Sequence, residues 1–155
     1  MALAAHDLGA RIFLHDINPM KLEISAQFRR KLDIQTVDIE PFPSVDVAVN
    51  ACPAIDSFLC GVDLLASGGC FCLFSGFTDE RSVPPDLFNQ IHYRQLRVVG
   101  AYGCTRAQMG QAVQLLVNYC AEVELLIDRR IRIEEAPRVL PAMMNGQVLK
   151  VVIEF

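Results

Sequence analysis

The stretch Arg11-Ile-Phe-Leu-His-Asp16, continued by Ile17-Asn18-Pro19, decides how this chain is read. An apolar run ends in an acid, and a proline stands two residues beyond it. Proline suits the first position of a helix, because the N–H it lacks would have no intrahelical partner there and its φ is already helical. The stretch therefore predicts a strand over Arg11–Ile17, a tight turn, and a helix over Pro19–Lys31. Just upstream, Ala2–Leu8 reads as the last turns of a helix closed by Gly9, a residue free to take the left-handed conformation that ends helices.

The same alternation continues outward. Ile34–Val37, Val45–Asn50, Cys70–Phe74 and Leu96–Ala101 are short runs rich in β-branched or apolar residues, as strands are. Ala54–Ala66 sets Ile55, Phe58, Leu59, Val62 and Leu65 at helical spacing, and Gly68-Gly69 punctuates the turn into the next strand. Thr105 is a capping residue for a helix running to about Cys120, with Met109, Val113, Leu116 and Val117 on one face. Leu125–Ile133 and Val148–Phe155 read as further strands around a short helix that starts near Glu134. Strands alternating with amphipathic helices predict an α/β fold: a Rossmann-like, mostly parallel sheet with helices on both faces. The tail is expected to leave that sheet.

Composition bounds the function. The chain has 155 residues, 52% hydrophobic and 21% charged, with a formal net charge of −4. A domain of this size buries roughly 68–70% of its unfolded surface, so it needs no staple. A mildly acidic chain without a basic stripe excludes nucleic acid and anionic membrane as principal partners, and its few aromatics form no stacking platform. The six cysteines, at 52, 60, 70, 72, 104 and 120, include no C-x-x-C pair, so buried thiols in a reducing compartment are expected rather than disulfides or zinc. The uncharged stretch Leu64–Thr78 is broken by Gly68, Gly69 and Gly76 and is too short to span a bilayer. No basic region precedes the first apolar segment, as a signal peptide would require, so a cytoplasmic location is expected.

Asp16 is the first candidate for chemistry. A carboxylate at the end of the second strand of a nucleotide-binding βαβ unit accepts both hydroxyls of an adenosine ribose, and its charge repels a 2′-phosphate. Asp16 is thus a candidate NAD selector, with Lys21 one helical turn on, alongside adenine or ribose. The structural alternative is that Asp16 caps the helix at Pro19. The histidines, His6, His15 and His92, lie in contexts that do not converge.

Taken in order, several segments resemble the second half of zinc-type medium-chain alcohol and polyol dehydrogenases, the sorbitol and threonine dehydrogenase relatives in particular. They are Ala4-Ala-His-Asp-Leu-Gly9-Ala10, Asp16-Ile-Asn-Pro-Met-Lys21-Leu22, Val45-Asp-Val-Ala-Val-Asn50-Ala-Cys52, Leu64-Leu-Ala-Ser-Gly68-Gly69, Val99-Gly-Ala-Tyr102-Gly-Cys104-Thr105 and Leu149-Lys150-Val-Val-Ile153. The resemblance implies that Asp16 holds the adenosine ribose with Lys21 beside it, and that Cys52-Pro53 borders the adenine pocket. It implies that Ser75-Gly76-Phe77 and Ala101-Tyr102 offer backbone contacts to the nicotinamide carboxamide and that Lys150 approaches the pyrophosphate. Residues 1–124 would be a partial NAD(P)-binding domain, and 125–155 a segment that returns to a catalytic domain.

The Gly-rich pyrophosphate turn, the first strand and the zinc-bearing domain of that family have no counterpart in this sequence, so the chain reads as truncated at its start. No catalytic residue and no metal ligand is assigned within it. The implied function is the NAD-binding portion of a dehydrogenase that transfers hydride between a secondary alcohol and nicotinamide, inactive as this chain alone. A homo-oligomer through the Val98–Ala101 edge is expected. Two rivals remain: a non-catalytic dimerising or scaffold domain using that edge, and an adenosine-cofactor binder of the methyltransferase type.

Overall fold

The computed structural model describes residues 1–37, 44–78 and 80–155. Its elements run α1 (Ala2–Asp7), β1 (Phe13–Leu14), α2 (Pro19–Ile24), α3 (Ala26–Lys31), β2 (Gln35–Thr36), β3 (Val45–Asn50), α4 (Ile55–Leu64), β4 (Leu65–Leu73), α5 (Pro85–Tyr93) and β5 (Arg97–Gly100). The remainder is α6 (Arg106–Asn118), α7 (Cys120–Val123), β6 (Arg129–Arg132), α8 (Ala136–Met144) and β7 (Val151–Glu154), with 3-10 turns at Glu124–Leu126 and Ile133–Glu135. Every strand pair is parallel, so the architecture is Rossmann-like α/β. The strands fall into three hydrogen-bonded sheets, β1-β2, β3-β4-β5 and β6-β7, rather than one continuous sheet. Among the described residues, no helix is long and apolar enough to cross a membrane.

The chain divides into two compact units. One holds the described residues before position 40 together with Thr105–Phe155, and the other holds the described residues from there to Cys104. In the first unit, Leu3, Phe28, Leu32 and Ile34 form the core, and Leu14, Leu115 and Tyr119 pack against them. The helix expected over Pro19–Lys31 is two helices, because Ser25 breaks it. The Ser25 hydroxyl donates to the carbonyls of Lys21 at 2.8 Å and Leu22 at 3.3 Å, a local bond that competes with the helical ladder. Helix α6 starts at Thr105 as expected, with a full capping box: Gln108 N–H donates to Thr105 Oγ1 at 3.3 Å and Thr105 N–H to Gln108 Oε1 at 2.7 Å. It turns Leu115 and Tyr119 to the core, however, and leaves Met109, Val113, Leu116 and Val117 exposed. The strand expected over Leu125–Ile133 shrinks to Arg129–Arg132, since Glu124–Leu126 coils into a 3-10 turn.

In the second unit the pleat of β3-β4-β5 sends Ala48, Phe71 and Val98 to one face and Val47, Val49, Cys70, Cys72 and Val99 to the other. Helices α4 and α5 cover the first face, where Phe58, Val62, Leu65, Phe71, Leu87 and Leu96 make one core. Leu65, expected on the helix, instead opens β4, and Gly68-Gly69, expected in a turn, lie inside that strand at a register break opposite Val45–Val47. A Cβ on Gly69 would sit 2.8 Å from the Ala66 carbonyl oxygen, so only glycine fits the break. The Arg94 guanidinium donates to the carbonyls of Val62 at 3.2 Å and Asp63 at 3.5 Å, and to that of Leu65, satisfying the end of α4.

Four helices end alike. After α1, α3, α5 and α8 the chain turns through a left-handed residue, Gly9, Asp33, Gln95 and Gly146 respectively. The residue after each donates back into the last turn: Ala10 to Ala5, Ile34 to Arg29, Leu96 to Ile91 and Gln147 to Ala142, at 2.9–3.0 Å. Two of these turns deliver a buried residue, Ile34 or Leu96, directly to the next strand.

Candidate functional site

Two concave surfaces, one in each unit, gather eight of the nine residues singled out for cofactor contact. The first is a pocket of about 260 Å³ in the unit of β1 and β2, lined by Leu14, Asp16, Lys21, Leu22, Ser25, Phe28, Arg29, Leu126, Leu149 and Lys150. Its floor is apolar and its rim is charged, one carboxylate among three cations.

The turn after β1 sets the carboxylate. Asp16 Oδ1 accepts from the Asn18 N–H at 2.8 Å, and Asn18 Oδ1 in turn accepts from the Met20 N–H at 3.0 Å, with Pro19 at the first helical position. Asn18, not Asp16, therefore caps α2, and the capping alternative for Asp16 is corrected: a side chain that closes its own turn two residues on cannot also reach the N2 or N3 amide. Among the described residues no protein group engages Asp16 Oδ2.

The turn before Lys21 is tied to the far end of the chain. Asn18 Nδ2 donates to the Gly146 carbonyl at 3.4 Å, and a Cβ on Gly146 would meet Asn18 Nδ2 at 3.1 Å and Lys21 Cε at 3.3 Å. Arg29 donates from Nε to Ser25 Oγ at 3.2 Å and from Nη2 to the Leu22 carbonyl at 2.6 Å, which fixes its guanidinium at the pocket wall. At the opposite wall, Asp128 Oδ2 accepts the backbone N–H of Lys150 at 3.1 Å and that of Leu149. Those bonds seat the Lys150 backbone while its side chain stays exposed.

The second surface is an open groove of about 610 Å³ in the other unit, at the carboxyl ends of β4 and β5. It is lined by Leu73, Phe74, Ser75, Gly76, Phe77, Gly100, Ala101 and Tyr102. Ser75, Gly76, Phe77, Ala101 and Tyr102 thus come together as expected. The groove carries no charged side chain; apart from the hydroxyls of Ser75 and Tyr102, its polar groups are backbone. Ala101 N–H donates to the Leu73 carbonyl at 2.9 Å, which extends the β4-β5 pairing one residue past the sheet. Ser75 Oγ donates to the Gly76 carbonyl at 3.4 Å, so the hydroxyl stays with its own loop. Gly76 and Phe77 keep backbone N–H groups without a protein partner among the described residues.

Cys52, the ninth residue, lines neither surface; it is exposed in the loop after β3. One residue of this region had no signal in the sequence. Asn50, at the end of β3, is 4% exposed. Its Oδ1 accepts the N–H of Phe74 at 3.2 Å and of Ser75 at 3.3 Å, and its Nδ2 donates to the Cys52 carbonyl at 2.9 Å and to Ser57 Oγ at 3.3 Å. Its partners lie on three separate loops or turns, which no local pattern reports. Among the described residues no group of three His, Cys, Asp or Glu is placed to hold a metal ion.

No family model matches the chain, and neither does any curated protein. Solved structures do. An alcohol dehydrogenase from Thermotoga maritima superposes with a TM-score of 0.83 at 18% identity, over 97% of this chain and 45% of that one. The 2R,3R-butanediol dehydrogenase from Bacillus subtilis gives 0.79 at 15% identity, over 99% and 46%. A Haloferax mediterranei glucose dehydrogenase, solved with NADP, Zn and gluconolactone, gives 0.78 at 16% identity, also over 99% and 46%. The chain has the fold of part of a zinc-type alcohol and polyol dehydrogenase and spans about half the length of the structures it matches.

Proposed function

We propose that this chain is the NAD-binding portion of an alcohol or polyol dehydrogenase. The observation that carries the reading is Asp16: a carboxylate at the carboxyl end of a parallel strand, one oxygen committed to its own turn and the other without a partner among the described residues, on a pocket rimmed by Lys21 and Lys150. Ligands of open α/β sheets bind where strands end, and a free carboxylate there is an acceptor for vicinal ribose hydroxyls. The same charge disfavours a 2′-phosphate, which supports NAD over NADP. Lys21 would lie along the adenosine and Lys150 would face phosphate.

The residues of the strand-end groove suit the other end of a dinucleotide. A carboxamide needs one donor and one acceptor in fixed places, and backbone groups of Ser75–Phe77 and Ala101–Tyr102 provide both kinds beside the faces of Phe74 and Phe77. A bound nicotinamide supplies hydride acceptance or donation; this chain's residues would bind the ring, orient it and screen one face of it from water. In the whole protein the alcohol substrate would come from a domain that the segment 125–155 rejoins, with residues 1–124 forming the cofactor domain. Edge strand β5, exposed along its length, would pair with a second copy.

Ligand-observed NMR tests the proposal. The chain is titrated separately with adenosine monophosphate, nicotinamide mononucleotide, NAD, NADP and S-adenosylmethionine. Saturation transfer to both the adenine and the nicotinamide protons of NAD, weaker transfer to NADP, and none to S-adenosylmethionine is the expected pattern. Transfer to S-adenosylmethionine alone makes the chain a methyl-donor binder, and silence from every ligand leaves the scaffold reading. Steady-state assays over a panel of alcohols and polyols are expected to find no turnover by this chain alone.

A further inference from the structure

We infer that Asn50 is a positioning residue for the nicotinamide end of the cofactor, a role that rests on the function proposed above. Asn50 is the one buried polar side chain among the described residues, and its bonds go to the loops after β3 and β4 and to the first turn of α4 rather than to the sheet that carries it. A buried amide left half-paired is costly, so such a side chain persists where its partners hold it and it holds them. Its carbonyl oxygen takes the first two amides beyond β4, those of Phe74 and Ser75. Those amides are taken up by Asn50, and the Gly76 and Phe77 amides that follow have no partner among the described residues. The amide nitrogen pulls the Cys52 carbonyl toward the same point, and Thr78 N–H donates to the Pro53 carbonyl at 3.2 Å on the outer side of that junction. The loops after β3 and β4 are thus tied twice, once through Asn50 and once directly.

The tie has a function because the side-chain polar groups that line the groove are two hydroxyls, that of Ser75 bonded to the Gly76 carbonyl and that of the fully exposed Tyr102, so its buried donors are backbone amides. A site whose donors are backbone amides can only be as well placed as the loop that carries them, and preorganised donors are what a bound ring gains from. Phe77, packed against the core beneath, anchors the far end of this loop. Asn50 anchors the near end. Ser57, whose hydroxyl donates to the Ala54 carbonyl at 2.7 Å, leaves its lone pair for Asn50 Nδ2 and so sets which way the amide faces.

The test uses the whole chain with Asn50→Ala and Asn50→Asp. The aspartate variant keeps oxygens for the Phe74 and Ser75 amides and loses the donor to Cys52. Two readouts are taken: amide hydrogen exchange of Phe74 and Ser75, which needs no ligand, and binding of nicotinamide mononucleotide, with adenosine monophosphate as a control. Loss of a hydrogen bond to a buried group is expected to speed exchange at Phe74 and Ser75 and to weaken nicotinamide mononucleotide by roughly tenfold each in Asn50→Ala, with Asn50→Asp restoring most of both. Adenosine monophosphate binding should not move in either variant.

The inference falls if wild type and Asn50→Ala bind nicotinamide mononucleotide equally, in which case the function proposed for the groove survives without it. It falls equally if exchange rises throughout β4 or if neither variant folds, because Asn50 then serves folding alone. If wild type does not bind nicotinamide mononucleotide at all, both the function of the groove and this role are overturned.

Discussion

The two concave surfaces are built on opposite plans. The Asp16 pocket is defined by charged side chains close together in sequence on one turn and two short helices, joined by Lys150 from the far end of the chain. The strand-end groove has no charged side chain; it offers backbone amides, the Ser75 and Tyr102 hydroxyls and apolar walls, with the Asn50 amide buried behind it. A pocket made of charged side chains can be altered one group at a time. A groove whose donors are mostly backbone is altered chiefly through what supports it, so its determinants reach into the core.

The largest effect expected from that contrast is at Phe71, fully buried and edge-on to Phe58 at 5.0 Å between ring centroids. Phe71→Ala should cost about 3–5 kcal/mol in urea melts and remove nicotinamide mononucleotide binding with it, although Phe71 lies outside the groove lining. A variant that melts early yet binds that probe normally would break the link between core and groove.

Asp16→Ala comes next. It should weaken NAD and adenosine monophosphate by about 1.5–3 kcal/mol, leave nicotinamide mononucleotide unchanged and affect NADP least. Its stability in urea should fall only by about 0.5–1.5 kcal/mol, the worth of the bond from the Asn18 N–H, because Asn18 still caps α2. Calorimetric titration of the four ligands decides the matter; equal losses for NAD and NADP would remove Asp16 as a cofactor selector.

Lys150→Ala should be milder. An exposed cation facing phosphate is worth about 0.2–1 kcal/mol and is screened by salt, so the difference from wild type in adenosine diphosphate affinity should vanish at high ionic strength. A loss that persists in salt would mean that Lys150 does more than attract charge.

The smallest effect is at Cys60 on α4, behind the groove. Burial pushes its thiol above the ordinary value, and the charges of Asp63 and Asp56 push it further. The neutral thiol is favoured in the fold, so this contribution to stability is present below the unfolded-state pKa and is lost as pH rises past it. Mass-spectrometric alkylation at about pH 8 should label the exposed Cys52 and Cys104 well before Cys60, and the Cys60 rate should still be climbing at higher pH. Early labelling of Cys60 would report a core looser than the packing of Phe58 and Val62 implies.

Much of this was legible beforehand because it depends on neighbours a few residues apart. Pro19 opens a helix, Gly9 closes one, and Thr105 with Gln108 builds a capping box, all through bonds within a single turn. The carboxylate after β1 could be named for the same reason, as the end of a strand that its own composition reveals, whereas the loops after β4 and β5 were named through the resemblance to dehydrogenases. The helix break at Ser25 was hidden because a serine hydroxyl bonds back to the backbone in some contexts and faces water in others. The left-handed turns at Asp33 and Gln95 were hidden because neither residue advertises a positive φ as glycine does.

The sequence by itself determined the α/β class, the order of the elements and the carboxylate of Asp16 with Lys21 one helical turn on, since these follow from local period and from the chemistry of single side chains. Only the tertiary structure decided that Leu65 leaves the helix for the strand, that Leu115 rather than Leu116 faces the core, and that Asn50 governs the groove. In each case the deciding partners are distant. The amides that Asn50 holds lie 24 and 25 residues along the chain, and a bond over that separation exists only once β3 and β4 have paired and buried the side chain between their ends.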